Sequence, residues 1–99
     1  MKEQVIAEIV VVPVGTETPD VGRYVKSCLE VVKQAEDVVY TLTAMSTIIQ
    51  GPLDRILELY REMHEIPFGM GSQRVLSTLK IDDRRDKTAT IDSKIKSVS

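Results

Sequence analysis

Hydrophobic side chains dominate a ten-residue stretch near the start of the chain, Val5–Val14, which carries one charge. Side chains of a strand alternate between its two faces, so one face would carry Val5, Ala7, Ile9 and Val11, and the other Ile6, Glu8, Val10 and Val12. Both faces are apolar and β-branched residues prevail, which is typical of a central strand covered on both sides. Two helices in a chain this short cover one face of a sheet, so we expect a second copy of the chain to cover the other.

Apolar positions three and four residues apart predict two helices. The first is predicted from an N-cap at Thr18 to about Ala35, and the second from Pro52 to just before Pro67. The predicted buried stripes are Val21, Tyr24, Val25, Cys28, Leu29, Val32 and Ala35 in the first helix, and Ile56, Leu57, Tyr60, Met63 and His64 in the second.

The remaining segments are predicted to form strands and one short helix. A hairpin is predicted over Val38–Gln50, turning near Ala44–Ser46, and a last strand over Arg74–Asp82. Apolar residues spaced by four and three, Ile91, Ile95 and Val98, predict a terminal helix that docks either on its own subunit or on a neighbour.

The element order β-α-β-β-α-β predicts an α+β fold, the ferredoxin-like sandwich. Its four-stranded antiparallel sheet would have the first and third strands at its centre, both helices on one face, and the short C-terminal helix added at the end. We expect a single domain over residues 1–99. This fold hosts many chemistries, so it leaves the function open.

Composition narrows the classes of function. The net charge of −2 gives no electrostatic reason to expect a nucleic-acid partner, and no apolar run approaches the roughly 20 residues of a membrane span. One cysteine, without a signal-peptide pattern, suits the reducing cytoplasm, where we expect the protein to reside. The central strands lack the aromatic residues of an RNA-recognition module, and Cys28 stands alone where a metal chaperone needs paired thiolates. We therefore expect neither nucleic-acid nor metal binding.

Three features could carry chemistry. His64 could act in general acid/base catalysis, although a helix-end histidine hydrogen-bonded to the backbone is the favoured interpretation. The charges of segment Lys80–Lys87 alternate in sign, which favours a network of ion pairs within the segment over a phosphate-binding site. Glu8 is a carboxylate on an apolar face, which is costly unless the group is paired. It would either pair with Lys80 or hydrogen-bond a polar heterocycle held between sheets.

Three segments of the chain resemble one known family. They are AEIVVVPVGT (7–16), YTLTAMSTIIQG (40–51) and GSQRVLSTLKIDDRRDK (71–87), and together they resemble the thiamine-binding protein family. The resemblance implies a ferredoxin-like protomer that forms a homodimer or homotetramer through its sheet face. It also implies binding of thiamine or its hydroxymethylpyrimidine moiety without an established reaction or cofactor.

The resemblance implies a ligand site as well. It places Met45, Ser46 and Thr47 of the hairpin around the ligand, with Glu8 as the hydrogen-bond acceptor from the first strand. The chain departs from the family pattern at Ile66–Phe68, where we expect the second helix to end early, and at Gln50, where an acidic residue is frequent.

The leading hypothesis is a non-enzymatic carrier or sensor that holds its ligand between protomers. One alternative is an enzyme or enzyme accessory acting on a small metabolite, with His64 or the acidic residues of segment 82–86 in the chemistry. The other is a purely structural oligomer, whose intersheet space would be packed shut by Ile6, Val10, Val12 and Leu76.

Overall fold

The computed structural model describes residues 4–99; the first three residues of the predicted domain lie outside the described part. The elements are β1 (Gln4–Pro13), α1 (Gly22–Lys33), β2 (Val39–Leu42), β3 (Thr47–Pro52), α2 (Leu53–Gly69), β4 (Val75–Asp82) and α3 (Ile91–Lys96).

The four strands form one antiparallel sheet in the order β2-β3-β1-β4. Strand β1 is central: Glu8 lies opposite Ile48 of β3 on one side and Lys80 of β4 on the other. Helices α1 and α2 pack against each other and against the sheet. The predicted ferredoxin-like fold class, with β1 and β3 at the sheet centre, is confirmed.

The alternation along β1 divides the sheet into two unlike faces. Val5, Ala7 and Ile9 are buried in the core beneath the helices. Ile6, Glu8 and Val10 point the other way and are only partly buried. We call this second surface the open face; β4 contributes Leu76, Thr78, Lys80 and Asp82 to it, opposite Val12, Val10, Glu8 and Ile6.

Helix α1 begins later than the sequence predicts. The predicted N-cap at Thr18 is wrong, because the helix starts at Gly22 and its N-cap residue, Val21, has a side chain that accepts no capping hydrogen bond. The Asp20 side chain instead accepts a 2.9 Å hydrogen bond from the Gly22 amide, so an acidic side chain satisfies the first helical N–H. Three of the predicted buried positions, Tyr24, Cys28 and Val32, form the helix's buried stripe.

Helix α2 does not end before Pro67, as predicted, but continues to Gly69 with Pro67 inside it. Proline lacks the N–H that would bond the carbonyl four residues earlier, which here belongs to Met63. The thiol of Cys28 in α1 donates to that carbonyl at 3.4 Å. The buried Pro67 ring also packs in the core, so tertiary contacts compensate for the missing backbone hydrogen bond.

The buried stripe of α2 is also rotated from the predicted one. Its buried residues are Ile56, Leu59, Met63 and Pro67. Leu57, predicted to be buried, is 43% exposed, whereas Leu59 is fully buried. The helix begins one residue after the predicted start, since Pro52 is the last residue of β3 and the N-cap of α2.

The C-terminal helix α3 docks on its own subunit. The Ile91 amide donates to Gln50 Oε1 at 2.9 Å, and Lys94 forms a 2.6 Å ion pair with Asp82. Ile91 is buried, while Ile95 and Val98 of the predicted stripe are exposed. Gln50 therefore helps to fix the start of α3.

Two leucines of α2 provide a matched test of this packing. Leu59→Ala should lower the free energy of unfolding by about 2–5 kcal/mol, because it leaves a cavity in the core. Leu57→Ala should lower it by less than about 1 kcal/mol. Urea denaturation at one protein concentration measures both; a larger loss in Leu57→Ala would contradict the described orientation of α2.

Candidate functional site

Glu8 lies in the middle of the open face and is hydrogen-bonded to the β2–β3 hairpin. Ser46 Oγ donates to Glu8 Oε2 at 3.0 Å. This contact joins residues 38 positions apart in the chain, and β-sheet register explains it, since Ser46 directly precedes β3, in which Thr47 pairs with Ile9. The structure therefore brings together two of the four predicted site residues.

Lys80 is the alternative partner that the sequence suggests for Glu8. It lies directly across from Glu8 on β4 and shares the open face. Within residues 4–99, however, no ion pair forms between the two side chains, and the hydroxyl of Ser46 is the group that contacts the carboxylate. A single neutral donor leaves most of the hydrogen-bonding capacity of the carboxylate available.

A residue that sequence reasoning missed, Thr43, holds the hairpin turn in shape. Its Oγ accepts from the backbone N–H groups of Met45 at 3.2 Å and Ser46 at 3.0 Å. The Thr43 amide donates to the Ser46 carbonyl at 2.9 Å and closes the turn. Threonine often bonds the backbone two or three residues ahead in turns, and this preference is the signal that could have identified it.

The other predicted residues surround a cavity of about 340 Å³ between the hairpin turn, β1 and α1. Met45 at the turn is 85% exposed, whereas Thr47 is 7% exposed. Cys28 and Met63 contribute to the inner wall, and Ser46 lines this cavity as well. The lining is mostly aliphatic and thioether side chains with a few hydroxyl groups, which suits a flat ring with a polar edge.

Glu8 lines a separate, shallower cavity of about 200 Å³ on the open face. Its lining is completed by Ile6, Ala7, Ile48, Lys80 and Asp82. The predicted site residues are thus divided between two cavities, and Ser46 connects them because it lines one and hydrogen-bonds the carboxylate of the other.

His64 lies in a hydrogen-bonded cluster between α2 and β4. Its Nδ1 is 2.8 Å from Ser77 Oγ, which is also 2.8 Å from the hydroxyl of Tyr60. The ring of Phe68 packs edge-on against the imidazole. The structural interpretation is right that His64 is hydrogen-bonded but wrong about the partner, which is a side-chain hydroxyl and not the backbone. The imidazole links α2 to the edge strand β4.

The charged segment after β4 is paired internally, as predicted. Arg84 binds Asp86 at 2.6 Å and Arg85 binds Asp83 at 2.8 Å. The hydrogen bond from Arg84 lowers the pKa of the Asp86 carboxyl to about 2, so this carboxylate stays charged in acid that would protonate an ordinary aspartate. Within residues 4–99 there is no cluster of three potential metal ligands, and no helix is long and apolar enough to cross a bilayer.

The fold and this site define a small ferredoxin-like protein with a polar site where its hairpin meets its central strand. The model of the family "Thiamine-binding protein" matches residues 7–99, and the chain belongs to that family. The resemblance seen in the sequence is therefore confirmed.

Two relatives and one protein of the same fold illustrate the similarity. The UPF0045 protein YqgV of Bacillus subtilis is 43% identical over 97 residues, spanning 95% of this chain and 93% of its own. The solved structure of the MJ1052 protein of Methanocaldococcus jannaschii matches with a TM-score of 0.90 at 38% identity, covering 97% of this chain and 96% of its own. A proposed thiamine biosynthesis/salvage protein of Thermotoga maritima shares the fold, with a TM-score of 0.79 at 20% identity over 97% of this chain and 99% of its own.

Cys28 provides a chemical probe of the larger hairpin cavity. Burial raises the pKa of its thiol from 9.0 to about 11. At pH 8 this two-unit shift lowers the thiolate fraction about 100-fold, and only the thiolate reacts with iodoacetamide. The folded protein should therefore react at least about 100-fold more slowly than the urea-unfolded chain, as measured by mass spectrometry; equal rates would contradict the burial of Cys28.

The raised pKa of Cys28 also makes the free energy of unfolding depend on pH. Between pH 9 and 11 the unfolded chain releases a thiol proton that the folded chain keeps, so this group makes the free energy of unfolding fall as pH rises. Cys28→Ala should remove that contribution and flatten the difference between urea denaturation at pH 8 and at pH 10. An unchanged pH dependence would contradict the raised pKa.

Proposed function

We propose that this protein binds thiamine or its hydroxymethylpyrimidine moiety, without catalysing a reaction, between protomers of a homo-oligomer. It would serve as a carrier or sensor that sequesters the ligand. The observation that carries the proposal is the Glu8 carboxylate, partly buried on the open face and hydrogen-bonded to Ser46, in a member of the thiamine-binding protein family.

An aminopyrimidine ring suits the chemistry of this site. Its exocyclic amine is a hydrogen-bond donor, and a carboxylate such as Glu8 has several free acceptor positions. Ser46 offers a hydroxyl beside the carboxylate, and Ile48 offers an apolar wall in the same cavity as Glu8. A negative charge at Glu8 would also favour the positively charged thiazolium of intact thiamine.

A second protomer would complete the site. The cavity at Glu8, about 200 Å³, is smaller than the roughly 300–1,000 Å³ of typical ligand pockets, so one chain encloses a ring only partly. The open face also exposes apolar side chains, among them Leu76 at 63% and Val12. Contiguous apolar surface of this kind commonly marks an interface between proteins. A dimer through the open face would cover these residues and the ligand together.

Two of the hairpin residues would contact the ligand from the turn. Met45 is the flexible, exposed side chain that could close over a bound ring. Thr47 pairs with Ile9 and is buried on the core side of the sheet, so its hydroxyl would contact only a part of the ligand that enters the hairpin cavity. The hydrogen bonds from the Met45 and Ser46 amides to Thr43 Oγ hold the turn backbone in place. The groups that an enzymatic role would use are otherwise engaged, His64 by Ser77 and Asp86 by Arg84.

Glu8→Gln tests the proposed acceptor. Replacing the carboxylate removes a charge-assisted hydrogen bond, which contributes about 1.5–3 kcal/mol, so affinity for hydroxymethylpyrimidine should fall roughly 10- to 100-fold. Isothermal titration calorimetry measures the affinity, and light scattering checks that the oligomer persists.

The matched control for this variant is Glu62→Gln, which removes an exposed carboxylate of α2. It should leave affinity unchanged. Equal affinity of the wild-type protein and Glu8→Gln for both thiamine and hydroxymethylpyrimidine would exclude Glu8 from the site.

A further inference from the structure

A cavity of about 750 Å³ lies apart from both cavities described above. It is formed by the β1–α1 loop, residues 14–21, together with the start of α1 and the α2–β4 loop, residues 70–74. The Val14 amide donates to the Arg74 carbonyl at 2.8 Å, which ties the two loops together. No residue lining it also lines the hairpin cavity or the cavity at Glu8.

Two arginines line this cavity. Arg23 is held in place by Tyr24: its Nη2 donates to the tyrosine hydroxyl at 2.9 Å, and its guanidinium carbon lies 4.8 Å from the ring centroid. Arg74 makes no side-chain hydrogen bond to any residue within 4–99, although its carbonyl accepts from Ser72 Oγ. Both guanidinium groups therefore keep donors that the protein itself does not use.

The backbone leaves room for a ligand between the loops. Each loop turns at a glycine with positive φ, Gly15 at +78° and Gly71 at +103°. A Cβ built at either glycine would meet no atom within 4 Å. These turns are favourable for glycine and strained for other residues, so the loops keep a bare backbone along the cavity.

The acidic residues of the lining limit what can bind. The Asp20 carboxylate already accepts the Gly22 amide at the start of α1, whereas Glu17 is exposed. A ligand must therefore place its negative group at the arginines and a hydroxyl-bearing or uncharged portion towards Glu17. Guanidinium groups bind tetrahedral oxyanions well because several N–H donors match their oxygens.

We propose that the cavity between the β1–α1 and α2–β4 loops is a second binding site, which takes a small phosphate monoester. Arg74 and Arg23 bind the phosphate, and the remainder of the molecule fills the rest of the cavity. A bare phosphate would occupy only part of a cavity of this volume, which favours an ester. The site is independent of the proposed thiamine site, so a failure of either proposal would not affect the other.

The test is a ¹H–¹⁵N NMR titration of the full chain with inorganic phosphate and with glycerol 3-phosphate, at constant ionic strength set with chloride. Both probes should give saturable shift changes confined to residues 14–24 and 70–74, with the ester binding at least as tightly as phosphate. No saturable change, changes elsewhere, or exclusion of the ester would overturn the proposal.

Three variants test which residues bind the phosphate. Arg74→Gln should weaken binding about tenfold or more, and it removes no hydrogen bond of the Arg74 side chain within residues 4–99, so the fold should persist. Glu17→Gln should strengthen binding, because it removes a repulsive charge. The control Arg61→Gln, on the exposed side of α2, should leave affinity unchanged. Equal affinity in Arg74→Gln and Arg61→Gln would overturn the assignment of the arginines.

Discussion

The double pairing of β1 is the constraint on which the rest of the structure depends. Because β3 and β4 bond both edges of this strand, its side chains must alternate strictly between the helix-covered core and the open face. Ala7 and Ile9 fall in the core, and Glu8 between them falls on the open face. A shift of one residue would bury the carboxylate under the helices, so the register that forms the core also places Glu8.

The sequence predicts the architecture well because its signals are local. Alternation identifies β1, and element order with right-handed crossovers then determines the sheet. The prediction is wrong at Pro67. The local rule that a helix ends before proline does not hold here, because a group distant in the sequence compensates for the missing backbone hydrogen bond. The Cys28 thiol reaches the Met63 carbonyl from another helix, and no spacing along α2 could reveal this contact.

The residues of the candidate site also differ in whether the sequence alone could identify them. Glu8 could be identified from one strand, since a lone carboxylate on an apolar face demands a partner. Its contact with Ser46 depends on the β1–β3 register, which the uncertain turn left open. The role of Thr43 lies in backbone hydrogen bonds within the turn, and the burial of Thr47 depends on which face β3 turns inward. Neither is determined by residue type alone.

The central claim is that a second copy of the open face completes the ligand site, and one substitution tests it most directly. Leu76→Lys places a charge on that face, where Leu76 lies opposite Val12, is 63% exposed and lines neither of the two cavities. We would titrate this variant with hydroxymethylpyrimidine in a calorimeter, on a sample whose mass is measured by light scattering. The account predicts a folded monomer that no longer binds the ligand. A monomer that binds with wild-type affinity would contradict it.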